Sequence, residues 1–116
     1  MKQQAPCFSA SSIASFPSIP LNLSAATTFN LNLTGNVNSF NINGVIPSKV
    51  NSFTLFTIQD AVGGHRVNWN FNGSNVKWTG GAAPQVSLSA NYTDVYTFIS
   101  NNGITWYGFI GGQNFA

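Results

Sequence analysis

Few residues in this 116-residue chain could do acid–base or covalent chemistry. There is one Cys, Cys7, one His, His65, and two carboxylates, Asp60 and Asp94. A nucleophilic site needs a thiol or hydroxyl, a base beside it and a group that orients the base. Cys7, His65 and one of the two Asp residues make the sole set of that kind with a thiol nucleophile. Cys7, however, lies in an N-terminal Ser- and Pro-rich stretch, and no Gly-x-Ser-x-Gly elbow stands in for it. A glycosidase pair would need Asp60 and Asp94 to converge. Each has a simpler reading. Asp60 ends a strand before a Gly-rich turn, and Asp94 precedes a strand, where it can bond backbone amides or pair with Arg66 or Lys77. Zinc needs three or four N or S ligands, and calcium six or more oxygens. The inventory points away from an enzyme: no catalytic, metal or cofactor-binding residue is expected, and no cofactor.

Binding chemistry is better supplied. Trp69, Trp78, Trp106 and Tyr107 stand among Asn, Thr and Gly, and aromatic platforms beside amides are what sugar recognition uses. Trp69 and Trp106 alternate with polar neighbours and are expected in the core. Trp78, next to Thr79-Gly80-Gly81 at a strand end, and Tyr107 are the candidates for a glycan or partner surface.

The elements that must position these residues are strands. Phe29, Leu31 and Leu33 alternate with Asn30, Asn32 and Thr34, the period of a half-buried strand. Gly35-Asn36 turns the chain towards Phe40 and Ile42, and Gly44 and Pro47 break that run. Val50 to Ile58 is apolar on both faces and reads as central. Val67, Trp69 and Phe71 alternate before Asn72-Gly73, a strong hairpin signal. Val76 to Trp78, Val86 to Leu88, Val95 to Ile99 and Ile104 to Ile110 follow, the last two joined by Asn101-Asn102-Gly103. These are eight or so short strands with no convincing helix. The expected fold is an all-β, antiparallel β-sandwich of jelly-roll type spanning residues 21–116. The alternation from Phe29 to Asn43 also reads as a rung of a two-layer solenoid, but no fixed repeat period supports that. Residues 1–20 hold Pro6, Pro17 and Pro20 and are expected to form an extended arm. Phe8, Ile13, Phe16 and Ile19 are its apolar anchors, on its own domain or on a partner.

Composition narrows the partners. Hydrophobic residues are 43% and charged ones only 5%, so the polarity comes from Asn, Ser and Thr. So neutral a surface suits a protein largely covered by partners. The net charge of +2, from Lys2, Lys49, Arg66 and Lys77 against two Asp, contains no cluster able to neutralise several phosphates, which excludes nucleic acid as a partner. Residues 1–20 carry no apolar run of a secretory signal, and no stretch is long enough to span a membrane. A lone Cys makes no intrachain disulfide.

The order of motifs resembles a small β-sandwich domain of tailed-bacteriophage virion proteins, of the tail-fibre C-terminal and capsid-decoration type. The resemblance rests on Gly63-Gly64, Val67-Asn68-Trp69, Val76-Lys77-Trp78-Thr79-Gly80-Gly81-Ala82-Ala83-Pro84, Asp94 to Phe98 and Gly103 to Gly108, with Phe29 to Val37 upstream. It implies a non-enzymatic virion protein, assembled in the bacterial host cytoplasm, that forms a homotrimer. Because the sequence starts at Met1 with only a short arm, the resemblance favours a capsid decoration (cement) or head-fibre protein gripping the major capsid protein or another virion protein. The alternatives are a tail-fibre or tail-tip protein that binds host surface glycan and a stand-alone carbohydrate-binding module.

Overall fold

The computed structural model describes residues 7–9 and 17–116. Within them run β1 (Cys7–Ser9), β2 (Ser18–Asn22), β3 (Thr28–Leu33), β4 (Ser39–Asn43), β5 (Asn51–Gln59), β6 (Asn70–Phe71), β7 (Ser74–Asn75), β8 (Lys77–Trp78), β9 (Thr93–Ser100) and β10 (Tyr107–Phe115). A 3₁₀ turn, Thr79–Gly81, follows β8. Two sheets face each other, one ordered β1-β3-β5-β9-β10-β8 and the other β2-β4-β6-β7. The all-β sandwich is therefore as expected, and β5 is central.

The strand directions differ from the antiparallel jelly-roll expectation. β1, β3 and β5 run parallel in the large sheet, and β2, β4 and β6 run parallel in the small one. Strands β1 to β6 thus alternate between the two sheets as a two-layer parallel coil. Antiparallel pairing begins only where β9 lies against β5 and β10 turns back on β9. The coil carries no fixed sequence period, because its turns differ in length. Ser18 and Ser39, whose hydroxyls meet at 2.8 Å, are 21 residues apart. Ile42 and Asn72, joined across the next turn, are 30 apart.

Period-two alternation assigns the faces. β3 buries Phe29, Leu31 and Leu33, and β5 buries Phe53 and Leu55 on the same inner face. The small sheet answers with Ile19, Leu21, Phe40, Ile42 and Phe71. Aromatic rings fill the centre in the edge-on and offset contacts their quadrupoles favour. Phe98 lies 5.1 Å from Phe53 and 4.9 Å from Phe71, and Trp69 lies 4.8 Å from Tyr96. Trp69 and Trp106 are both buried, as their alternation predicted.

Neutral amides stand in for strand partners where the coil has none. Asn72 accepts from Ile42 N–H at 2.8 Å and donates to Ile42 C=O at 3.1 Å, extending the ladder of β4 by one side chain. Asn51 clamps Ile46 in the same two-bond manner, and Gln59 clamps His65. Buried backbone groups need such partners.

β2 is an outer strand of the small sheet, so one side of its backbone is open. Leu23 N–H donates to Asn43, and Pro17 C=O accepts from Asn38, so the odd-numbered residues of β2 bond to β4. Pro20 then occupies a position whose N–H would point outward, and its ring removes that donor from the open edge.

Two sequence readings of the N-terminal segment change. Ile19 is fully buried in the core, so it anchors the sandwich rather than a partner. β2 carries the sandwich across the boundary drawn at residue 20. The backbone of Cys7–Ser9 pairs with Thr28–Asn30 at the rim of the large sheet, which places this piece of the arm on its own domain. Ile13 and Phe16 lie outside the described residues, and of Phe8 only the backbone, in β1, is described.

Candidate functional site

The acid–base candidates do not assemble into a site. Asp60 and His65 meet, with Oδ1 and Nε2 3.0 Å apart. The same Oδ1 accepts from Gly63 N–H and Val62 N–H, each at 3.0 Å, so the carboxylate organises its own turn. The Gly63 amide first, then the Val62 amide and His65, hold its pKa below the usual carboxylate value despite partial desolvation. Gly63 itself needs its left-handed φ of 74°, and a Cβ there would stand 2.7 Å from Leu88 O. Cys7 is far away. It pairs with Thr28 near one end of β3, whereas Leu33 at the other end pairs with Gln59 beside Asp60. Five residues of strand separate them by roughly 16 Å.

Asp94 is buried at 1% exposure and points into the sandwich from β9. It accepts from Ser87 Oγ at 2.6 Å, Ser87 N–H at 2.7 Å, Tyr96 OH at 2.7 Å and Asn114 N–H at 3.0 Å. Burial alone would raise its pKa, but the donors from Ser87, Tyr96 and Asn114 outweigh it, and the pKa lies below the ordinary value. Burial first, and then the adjacent Asp94 carboxylate, push the Tyr96 phenol well above its usual range. Of the two roles open to Asp94, bonding backbone amides is the one realised. The carboxylate ties the residue 85–90 segment and the end of β10 to β9. Among the described residues no three His, Cys, Asp or Glu side chains come together to hold a metal.

Among the described residues, several surface clefts meet at Trp78. β8 is only two residues long, and it is fixed by parallel pairing to β10, Lys77 with Tyr107 and Trp78 with Gly108. Lys77 N–H donates to Trp106 C=O at 2.9 Å, and Val76 N–H to Trp69 C=O at 3.1 Å. The Thr79–Gly81 turn, with Gly80 at φ 77°, then sends the chain back so that Pro84 C=O accepts from Trp69 Nε1 at 3.1 Å. These bonds give the Trp-Thr-Gly-Gly-Ala-Ala-Pro run its shape.

The Trp78 ring owes its place to Gly108. Phe53, Phe98, Gly108 and Trp78 form one inward-facing row across four strands. A Cβ on Gly108 would stand 2.6 Å from the Trp78 ring, so only glycine lets the indole lie across β10. From there it reaches Trp69 at 5.6 Å and Phe98 at 5.7 Å. Gly108→Ala is expected to expel the indole from this shelf at a cost of about 1–3 kcal/mol. Red-shifted tryptophan emission with a lowered urea midpoint would register it, and unchanged values would refute the packing.

Three clefts share this ring. One of about 310 Å³ lies between the Trp78–Ala82 turn and Gly108, Phe109 and Ile110. Another of about 390 Å³ runs along Asn75, Val76, Lys77 and Gly81. The third, about 250 Å³, adds Asn68 and Trp69. Their walls offer Trp69, Trp78 and Phe109, the amides of Asn68 and Asn75, and Lys77, with no carboxylate. Such a rim can stack against and hydrogen-bond a neutral polar ligand, and it holds no acid–base pair.

Tyr107 is not part of this rim. It alternates with Gly108 and faces outward, opposite Ile99, while Trp78 faces inward. The two sequence candidates therefore lie on opposite faces of the large sheet. The clamps of Asn51, Gln59 and Asn72 and the identity of the Asp94 partners have no signature in the sequence, because they are set by tertiary pairing.

Comparison with known proteins agrees with this architecture. No curated protein and no solved structure matches the chain. A family model described as "Putative phage tail fibre C-terminal domain" matches residues 17–106, from the strand that carries Ile19 through the Trp78 rim to Trp106. That family is a structural one of virion components, and this chain belongs to it.

Proposed function

We propose that the chain is a non-enzymatic tail-fibre domain that works as a homotrimer and holds host-surface glycan at the Trp78 rim. The observation that carries this reading is the convergence of three uncharged or weakly basic clefts on one aromatic ring, with Asn68, Asn75 and Lys77 around it. Neutral sugars are bound by ring stacking and amide hydrogen bonds, and this rim supplies both. The family match supports the tail-fibre location. Asn75 and Lys77 are exposed, so replacing them leaves the core intact. Purified protein is expected to compete with whole phage for adsorption to host cells. Asn75→Ala with Lys77→Ala should weaken that competition about tenfold, the loss of roughly two modest hydrogen bonds. Undiminished blocking by the double variant would remove glycan binding from this rim.

A second reading, a capsid decoration or head-fibre protein that stabilises the shell, is supported by the 5% charge content and the exposed apolar surface. Imaging virions with the chain labelled separates the two: label at the fibre ends supports the first, and label over the capsid the second.

A further inference from the structure

Three Asn-Gly pairs occur in the chain: Asn43-Gly44, Asn72-Gly73 and Asn102-Gly103. In such a pair the next backbone nitrogen can reach the side-chain amide carbon, because glycine has no Cβ to obstruct the approach. The attack forms a bond from the glycine nitrogen to Asn Cγ and breaks the Cγ–Nδ2 bond. Nδ2 leaves as ammonia, taking the proton that the glycine nitrogen gives up. Water then opens the cyclic imide at either carbonyl and leaves Asp or its β-linked isomer. Nothing is oxidised or reduced.

All three Asn residues are exposed, so access does not separate them. Hydrogen bonding does. Asn72 has both amide atoms bonded to Ile42, Oδ1 at 2.8 Å and Nδ2 at 3.1 Å, and Gly73 N–H donates to Asn70 Oδ1 at 3.0 Å. Asn102 Oδ1 accepts from Ile104 N–H at 2.8 Å and Thr105 N–H at 2.9 Å, and Gly103 N–H donates to Ser100 Oγ at 2.8 Å. In both pairs the attacked amide is held and the attacking nitrogen is engaged. Among the described residues, neither the Asn43 side chain nor Gly44 N–H has a hydrogen-bond partner. The fold also fixes the glycine of this pair. Gly44 has a left-handed φ of 74°, and a Cβ there would stand 2.6 Å from Ser24 N and Oγ and 2.7 Å from Asn22 Oδ1. A bulkier residue that would shield Asn43 cannot take its place.

We infer that Asn43 is a site of spontaneous deamidation in the folded protein, with water as the co-reactant. Conversion adds a carboxylate to a chain that has two, and lowers its net charge of +2 by one. In the β-linked product an extra carbon enters the backbone. The carbonyl that accepts from Leu23 N–H at 2.9 Å then becomes a free carboxylate. The contact by which the end of β4 holds the turn after β2 therefore changes as the protein ages.

Trypsin, which cuts after Lys and Arg, divides the three pairs among peptides 3–49, 67–77 and 78–116. The test ages the full chain, folded, in mildly alkaline heavy-oxygen water, then unfolds, digests and weighs it in ordinary water. Acid formed during ageing carries the heavy oxygen. Label is expected in peptide 3–49 about tenfold faster than in either other peptide, the factor that one or two modest hydrogen bonds supply. Fragment masses should place it at residue 43, and Asn43→Gln should abolish it. In chain aged in guanidinium chloride the three peptides should gain label at similar rates, because the fold no longer distinguishes them. Label first in 67–77 or 78–116, no label at residue 43, or the same ranking in the unfolded chain would each overturn the proposal.

Discussion

Trp106→Ala is expected to lower the free energy of unfolding by about 3–5 kcal/mol, the range for removing a large buried aromatic. Trp106 is 2% exposed and precedes β10, with its ring 5.4 Å from Phe53 and 6.0 Å from Phe71. Deleting it opens a void between the two sheets, whose sides are held apart by Phe53, Phe71 and Phe98 and cannot readily close. The indole N–H adds nothing to this, because Trp106 Nε1 has no hydrogen-bond partner among the described residues. An unpaired buried donor costs free energy, so Trp106→Phe should lose far less, under about 1.5 kcal/mol. Urea unfolding of both variants checks this. Equal losses would mean that the N–H, rather than ring volume, carries the contribution.

Asp94→Asn is expected to cost about 2–4 kcal/mol near neutral pH, since hydrogen bonds to a charged acceptor contribute more than neutral ones. The amide keeps the shape but turns an NH₂ towards donors from Ser87, Tyr96 and Asn114 that need an acceptor. The pH dependence follows from the direction of the shift. The folded-state pKa of Asp94 lies below its unfolded value, so its stabilisation is fully present above the unfolded pKa of about 3.9. It is lost as pH falls through the folded pKa. Wild type should therefore weaken in acid more steeply than Asp94→Asn, and the gap between them should narrow below about pH 4. Asp60, whose pKa is also lowered, and the terminal carboxylate leave the variant a smaller residual slope. Urea midpoints at pH 7 and pH 3 decide it, and parallel curves would show that the carboxylate charge contributes nothing.

Which residues face the core was legible in the sequence, because period-two alternation is a local property. Phe29, Leu31 and Leu33, or Phe53 and Leu55, declare their face without reference to any neighbour. Direction of pairing is not local. The same alternation serves a parallel coil and an antiparallel sandwich, and connections of unequal length hid the coil between β2 and β6. Val86 to Leu88 reads as a strand, yet its backbone bonds to the Asp94 carboxylate, the Gln59 side-chain amide and Gly64 N–H rather than to a ladder. Trp78 and Tyr107 read as candidates for a binding surface because both are aromatic residues beside amide- and hydroxyl-bearing neighbours. The parallel register of β8 on β10 puts them on opposite faces, and register over two residues has no sequence signature.

The amide clamps carry a consequence for how the fold responds to its medium. Asn51, Gln59 and Asn72 bond to backbone dipoles, with no net charge on either side. Dissolved ions screen interactions between charges over about a Debye length, roughly 10 Å at 0.1 M salt. They scarcely touch contacts between neutral dipoles at 3 Å. Among the described residues the one ion pair is the partly exposed Asp60–His65 contact. A sandwich fastened in this way keeps nearly the same cohesion in dilute and in concentrated electrolyte.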